Sequence, residues 1–221
     1  MMMILLAAAS PVSMNEDVIA ALKAQADIYQ ARPTCSVTVT ADIDSESNDG
    51  PTSEELVFRY DHITESWSTV KGPENPDDDD NGERPTPRDW YGRALTMAAA
   101  AETAETQDDG AIILYTENLP KGTLMDQEGG RDNSKRSRAQ TMVSMASGEP
   151  VITSYSVTLK KSFRIPLVVR VKEFREEMVF GTSDDYGPLA TSRTNVWDVS
   201  FTGGFQRGEA KLTYSDYVCP E

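Results

Sequence analysis

The second half of the chain is a series of long segments in which apolar and polar residues alternate. This pattern is typical of half-buried β-strands, because successive side chains on a strand point to opposite faces. Short separators rich in Gly, Pro and Asp divide the segments, and consecutive strands joined by short turns favour an antiparallel meander. The predicted strands cover 112–116, 138–146, 151–161, 167–181, 189–202 and 208–218.

The length of these strands predicts a sheet that is not flat. Several runs exceed the usual strand of about six residues, so the sheet is expected to twist and curl. Within 167–180 the apolar positions change from odd numbers to even numbers. A β-bulge near Lys172–Glu173 would return both sets to one face and bend the strand. The alternative is a strand that is covered on both faces.

The first half of the chain predicts two helices and three shorter strands. Helical spacing indicates a helix over 15–31, with Ser13 or Asn15 as its cap, and a second helix from about 86 to 105. Alternation indicates strands near 36–43, 55–60 and 67–69. The predicted fold class is therefore α+β, mainly β, in which a long curved antiparallel sheet (a half-barrel) is wrapped around two helices.

Between the third strand and the second helix lies a stretch that contains four consecutive aspartates and several prolines. Such a composition buries little apolar area, so we expect a mobile acidic loop at 71–88. Part of it matches the first half of an EF-hand loop. However, Arg88 stands where that loop needs a glutamate, and prolines flank it in place of helices. The sequence predicts no metal site here.

The chemistry-bearing residues are few. His62 is the one histidine of the chain, and no clustered Cys/His site, phosphate loop or dinucleotide fingerprint occurs. We expect no enzyme activity, no catalytic residue, no cofactor and no metal. The formal net charge of −15 also argues against a nucleic-acid partner, since such proteins present a basic face.

The start of the chain indicates export. Residues 1–13 are apolar and small, and resemble a clipped signal segment, although an apolar tail is the alternative. The run is too short to serve as a stable transmembrane anchor. Residues 14–221 are predicted to form a single lipid-carrier-like domain. Cys35 opens the first strand and Cys219 closes the last, and in an exported protein they are expected to form a disulfide. The predicted location is periplasmic or secreted.

A long curved sheet that two helices do not fill leaves an apolar pocket between sheet and helices. Large apolar and aromatic residues on the predicted inner face are the candidates to line it, although each is individually more typical of a packed core. The ligand-pocket candidates are Phe58, Tyr60, Trp67, Tyr155, Phe174, Met178, Trp197, Phe201 and Tyr214.

The order of elements resembles the periplasmic lipoprotein-carrier fold of LolA and LolB. The strand 58–61 (FRYD) with Trp67 after it is similar to an early strand of that family. Segments 162–174 and 212–217 resemble envelope proteins of proteobacteria that are associated with the same fold. The resemblance implies noncovalent binding of acyl chains on the concave face, with a lipid or lipoprotein as partner. The alternative is a non-catalytic structural or interaction protein of the cell envelope with a filled core.

Overall fold

A computed structural model describes residues 11–72, 85–124, 132–165, 169–183 and 185–220. Most of the signal-like segment, most of the predicted acidic loop and its EF-hand-like stretch lie outside these ranges. The helices are α1 (Pro11–Gln30) and α2 (Pro87–Ala99). The strands are β1 (Ser36–Ser47), β2 (Gly50–Asp61), β3 (Ser66–Lys71), β4 (Thr103–Thr106), β5 (Ile112–Thr116), β6 (Ser137–Ser144), β7 (Val151–Leu159), β8 (Phe163–Ile165), β9 (Val169–Ser183), β10 (Gly187–Phe201) and β11 (Gly204–Val218).

The described strands form one antiparallel sheet of 11 strands, in the order β3-β2-β1-β11-β10-β9-β7-β6-β5-β4. The short strand β8 also pairs with β9, beyond the part of β9 that pairs with β7. The sheet does not close, because β3 and β4 are its two edges. The predicted class, a mainly-β fold with two helices and a long antiparallel sheet, is confirmed.

The contacts of α2 require the sheet to curve. Trp90 packs on Trp67 of β3, with 6.3 Å between ring centroids. Seven residues further along α2, the carbonyl of Met97 accepts a hydrogen bond of 2.9 Å from Thr116 of β5. Those strands are eight positions apart in the sheet, about 38 Å if it were flat. The two helical residues are only about 10 Å apart along the axis, so the sheet bends around α2.

A β-bulge at Lys172 contributes to this bend. Glu173 lies opposite Asp198 and Val171 lies opposite Val199, so Lys172 is an extra residue on β9. The predicted bulge is therefore confirmed. It places the odd-numbered Val171 and the even-numbered Phe174 on the same face, where both line one cleft.

The core lies between the two helices and the concave face of the sheet. It unites α1 and α2 with inward residues of most strands, and its centre is completely buried. Side chains that are fully enclosed include Leu22, Leu95, Met97, Leu114, Val157 and Met178.

Two helix boundaries differ from prediction. Positions 13 and 15, the predicted caps, lie inside α1, which the structure describes from Pro11 onward. Helix α2 begins after Thr86, whose backbone N–H donates to Asp89 at 2.7 Å. It ends at Ala99, and 103–106 form a strand instead of the predicted helical tail. Pairing of these residues with β5 outweighs their helix propensity.

The predicted disulfide between Cys35 and Cys219 is present. It joins the start of β1 to the residue that follows β11, strands that also pair directly. It is consistent with an oxidising compartment outside the cytoplasm.

Removing this disulfide is expected to destabilise the domain. The bridge closes a loop with a sequence separation of 184 residues, for which chain entropy gives up to about 5 kcal/mol. The double variant Cys35→Ser/Cys219→Ser should lose about 2–5 kcal/mol of unfolding free energy, the range seen for native disulfides. Urea unfolding measures the loss. A change below about 1 kcal/mol would show that the strand pairing alone holds these ends.

Alkaline pH is expected to unfold the domain. Burial raises the pKa of Tyr91 and of Tyr214 to about 12, and it raises the pKa of Tyr29, Tyr155 and Tyr217 as well. An unfolded tyrosine ionises near pH ~10. Above that pH the unfolded state has released protons that the folded state retains, so stability falls as pH rises from about 10 to 12. The phenolate absorbance of these five tyrosines should appear together with loss of circular dichroism; ionisation of all eight tyrosines with an intact sheet would contradict this.

Candidate functional site

A cleft of about 700 Å³ opens beside the core, where β8 meets β9. One wall is apolar and comes from β7, β8, β9 and β10. The loop 122–124 and residues near the start of β6 also line the cleft. The apolar wall includes Leu159, Phe163, Ile165, Val171, Phe174 and Trp197.

Strand register explains why these residues meet. Phe163 lies opposite Val171 across β8 and β9, and Phe174 lies opposite Trp197 across β9 and β10. Trp197 has room because its neighbour on β11 is Gly208. A Cβ at Gly208 would lie 2.6 Å from the indole and 2.5 Å from a backbone oxygen, so a side chain there would displace the tryptophan.

The floor of the cleft carries three charged residues. Glu176 of β9 is only 1% exposed. Its carboxylate accepts hydrogen bonds from Arg93 of α2 and from Arg193 of β10, the latter at 2.6 Å. The Tyr155 hydroxyl donates to the same carboxylate at 2.6 Å. A helix and three strands therefore converge on one buried carboxylate.

The electrostatics of this floor favour cationic arginines. Two guanidinium groups face one carboxylate, which leaves a formal excess of one positive charge. Burial raises the pKa of Tyr155, and the nearby Arg93 and Arg193 limit that rise. Burial lowers the pKa of Arg93, but an arginine remains charged at any physiological pH.

Each arginine has N–H donors that its hydrogen bond to Glu176 does not use. The Nε of Arg93 is buried and has no hydrogen-bond partner among the residues that the structure describes. Arg193 uses its Nε on Asn195 at 3.2 Å and one terminal nitrogen on Glu176. A guanidinium carries five donors, so both arginines have capacity for a further acceptor.

A basic segment adjoins the cleft at Phe163. The guanidinium of Arg136 lies over the ring of Phe163, 4.1 Å from its centroid. Lys135, Lys160 and Lys161 are exposed nearby in the chain, and the amide of Lys160 donates to the carbonyl of Arg136 at 2.9 Å. None of these four cations forms an ion pair with any residue in the described ranges.

The predicted pocket residues separate into three groups. Phe174 and Trp197 line the cleft. Four others are buried in the core, and Trp67 packs against that core. Phe58 is half-buried on β2, and Phe201 is 46% exposed near the tip of the β10–β11 hairpin. The four core residues are Tyr60, Tyr155, Met178 and Tyr214.

The charged floor was not predicted, although the sequence contains a signal for it. Glu176 shares its parity with Phe174, Met178 and Phe180, so it falls on the apolar face of β9. Arg193 likewise shares parity with Trp197 on β10. A charged residue on an apolar face usually has a partner, and that rule would have singled out both.

His62 and Ser36 form a hydrogen-bonded pair at the start of β1. The Ser36 hydroxyl hydrogen-bonds to Nδ1 of His62 at 2.7 Å and accepts the His62 backbone N–H at 2.9 Å. Ser36 is buried next to the disulfide. The adjacent Asp61 accepts the amides of Ile63 and Thr64 instead of orienting the imidazole.

No group of three His, Cys, Asp or Glu side chains among the described residues is placed to hold a metal ion. No helix within the described ranges combines the length and apolar character that crossing a bilayer requires.

Replacing Glu176 is expected to cost about 3 kcal/mol, because removal of one partner from a buried ionic network leaves the others uncompensated. Glu176→Ala should show this loss in urea unfolding. The triple variant Glu176→Leu/Arg93→Met/Arg193→Met should recover a large part of it. Arg175→Gln, on the neighbouring exposed residue, is the control. A loss below about 1 kcal/mol for Glu176→Ala would show that the network contributes little.

Comparison with known proteins leaves the family open. No family model matches the chain, and no curated protein matches it. A crystal structure of a DUF1329 family protein from Desulfovibrio piger aligns over 95% of this chain and 93% of its own, with 10% identity and a TM-score of 0.33. The ywiB protein from Bacillus subtilis aligns over 82% of this chain and 94% of its own, with 10% identity and a TM-score of 0.18. At these scores neither likeness carries an argument about function.

Proposed function

We propose that this protein binds the acyl chain of a lipid or lipidated partner in the cleft, noncovalently and without catalysis. The observation that carries the proposal is the apolar wall of a cleft of about 700 Å³. That volume lies within the range of about 300–1,000 Å³ that small-molecule sites occupy. A single acyl chain fits such a space.

Burial of the chain supplies the binding energy. Each methylene transferred from water contributes about 0.8 kcal/mol. Association and chain ordering oppose this by several kcal/mol, of the order of 4–15. Twelve methylenes give roughly 10 kcal/mol, so at the low end of that cost a chain of this length binds with an affinity of the order of 0.1 mM, which suits reversible carriage.

The place of action that we propose is the periplasm or the exterior of the cell. The signal-like residues 1–13 and the disulfide are the two features that support it. A lipid-carrier-like role in the envelope also agrees with the resemblance to the LolA and LolB fold that the order of elements suggests.

A second candidate is a structural or interaction protein of the envelope. One observation favours it: the space directly beneath the helices is filled by the protein's own side chains, among them Leu22, Leu95 and Met97, which are fully buried. The cleft lies beside this core rather than inside it, so the two functions predict different behaviour toward acyl ligands.

Titration with the neutral dye N-phenyl-naphthylamine, whose emission rises in apolar sites, tests the proposal. The wild-type protein should bind the dye, and dodecanol should displace it. Val171→Asn places an amide in the apolar wall and should weaken dodecanol binding about tenfold, since burial of an unpaired polar group costs about 1–3 kcal/mol.

Val70→Asn provides the matched control, because Val70 is 63% exposed on the edge strand β3. It should bind as the wild type does, and both variants should show the same circular dichroism. Absence of dye and dodecanol binding, with no acyl species in native mass spectra after mild extraction, would favour the structural alternative.

A further inference from the structure

We propose that the ligand of the cleft is an anionic amphiphile, whose acid group binds between Arg93 and Arg193 while its acyl chain lies along the apolar wall. This inference rests on the proposed function and specifies its ligand class. It assigns the two arginines a binding role in addition to their ion pairs with Glu176.

The excess positive charge of the floor favours an anionic ligand. Glu176 offsets one of the two guanidinium charges, so the floor retains a formal charge of +1 at a position where water access is restricted. An uncompensated charge in such a place is costly. A ligand with one negative charge restores neutrality there, whereas a cationic ligand adds repulsion.

The second argument is hydrogen bonding. The buried Nε of Arg93 has no partner within the described part of the chain, and its guanidinium group packs near the Tyr155 ring, 5.4 Å from the centroid. Arg193 holds its own position through Asn195 and Glu176. Two fixed guanidinium groups with remaining donors match the two oxygens of a carboxylate, since such charge-assisted bonds are short and strong.

The third argument is the arrangement of polar and apolar surface. The arginines bind Glu176, and along β9 the lining residues lead from Glu176 through Phe174 and Val171 to the part of β9 that pairs with Phe163 and Ile165 of β8. An acyl chain that entered tail first would place its methyl end against the charges. An acid group at the floor satisfies both parts of the cleft.

The surrounding charges agree with an anionic ligand. On a chain of net charge −15, the rim next to Phe163 carries Arg136 and its neighbouring lysines, which favour the approach of an anion. One acidic side chain, Glu173, also lines the cleft, but it is exposed on β9, where solvent screens it.

Displacement of the dye by three ligands of equal chain length tests the inference. At about pH 8 dodecanoate is an anion, dodecanol is neutral and dodecylamine is a cation. We expect dodecanoate to bind the wild-type protein at least about tenfold more tightly than dodecanol, and dodecylamine to bind most weakly. Acetate and inorganic phosphate at the same concentrations should leave the dye in place, because they lack the chain.

Variants of the two arginines test whether they cause the preference for dodecanoate over dodecanol. Arg93→Gln and Arg193→Gln should each reduce the preference for dodecanoate over dodecanol to below about threefold. Arg175→Gln, one residue from Glu176 but exposed and paired with Glu177, should retain the full preference. Circular dichroism reports whether each variant folds; where one does not, the wild-type comparison decides.

The outcomes separate the two proposals. Equal affinity for dodecanoate and dodecanol overturns the acid site but leaves acyl-chain binding intact. Folded arginine variants that keep the preference also overturn it. Displacement of the dye by acetate or phosphate alone would show a small-anion site and would overturn the proposal that the ligand is an amphiphile. If no probe binds, acyl-chain binding and the acid site are both wrong.

Discussion

The curvature of the sheet around α2 is the constraint on which the rest of the structure depends. Trp90 and Met97 contact strands that lie eight positions apart in the sheet order, and that contact is only compatible with a strongly bent sheet. The bend brings β9 and β10 beneath α2, so that Arg93 reaches Glu176 and Arg193. It also gives the apolar residues near β8 a concave arrangement. Core, charged floor and cleft all follow from one curved surface.

Local patterns made most of this fold predictable. Alternation identifies the strands, parity locates the bulge at Lys172, and the positions of Cys35 and Cys219 at the ends of neighbouring strands indicate the bridge. Residues 103–106 were predicted as helix because their composition is helix-forming. They pair with β5 through a tertiary contact that propensity does not contain. The Arg93–Glu176 contact joins residues 83 positions apart, and such pairs are invisible without the sheet register.

The location of the cleft differs from the expectation of a void beneath the helices. Leu95 and Met97 are fully buried in that space. The cleft lies beside it, along the end of β9 that pairs with β8, and α2 contributes Arg93 to its lining. Two of the predicted pocket residues, Phe174 and Trp197, line it, and most of the others pack in or against the core. The inward orientation of a side chain can be predicted from parity. Whether it lies in the core or in the cleft depends on which residues of other elements pack against it.

A crystal structure of the protein with ω-bromododecanoate tests acyl-chain binding in the cleft most directly, since anomalous scattering locates the bromine independently of the protein atoms. We expect an anomalous peak within the cleft, in contact with the apolar wall near Phe163 or Ile165, and continuous ligand density leading from it to the floor. A bromine bound on the outer face of the sheet, or a cleft closed by the protein's own side chains in the presence of the ligand, would contradict it.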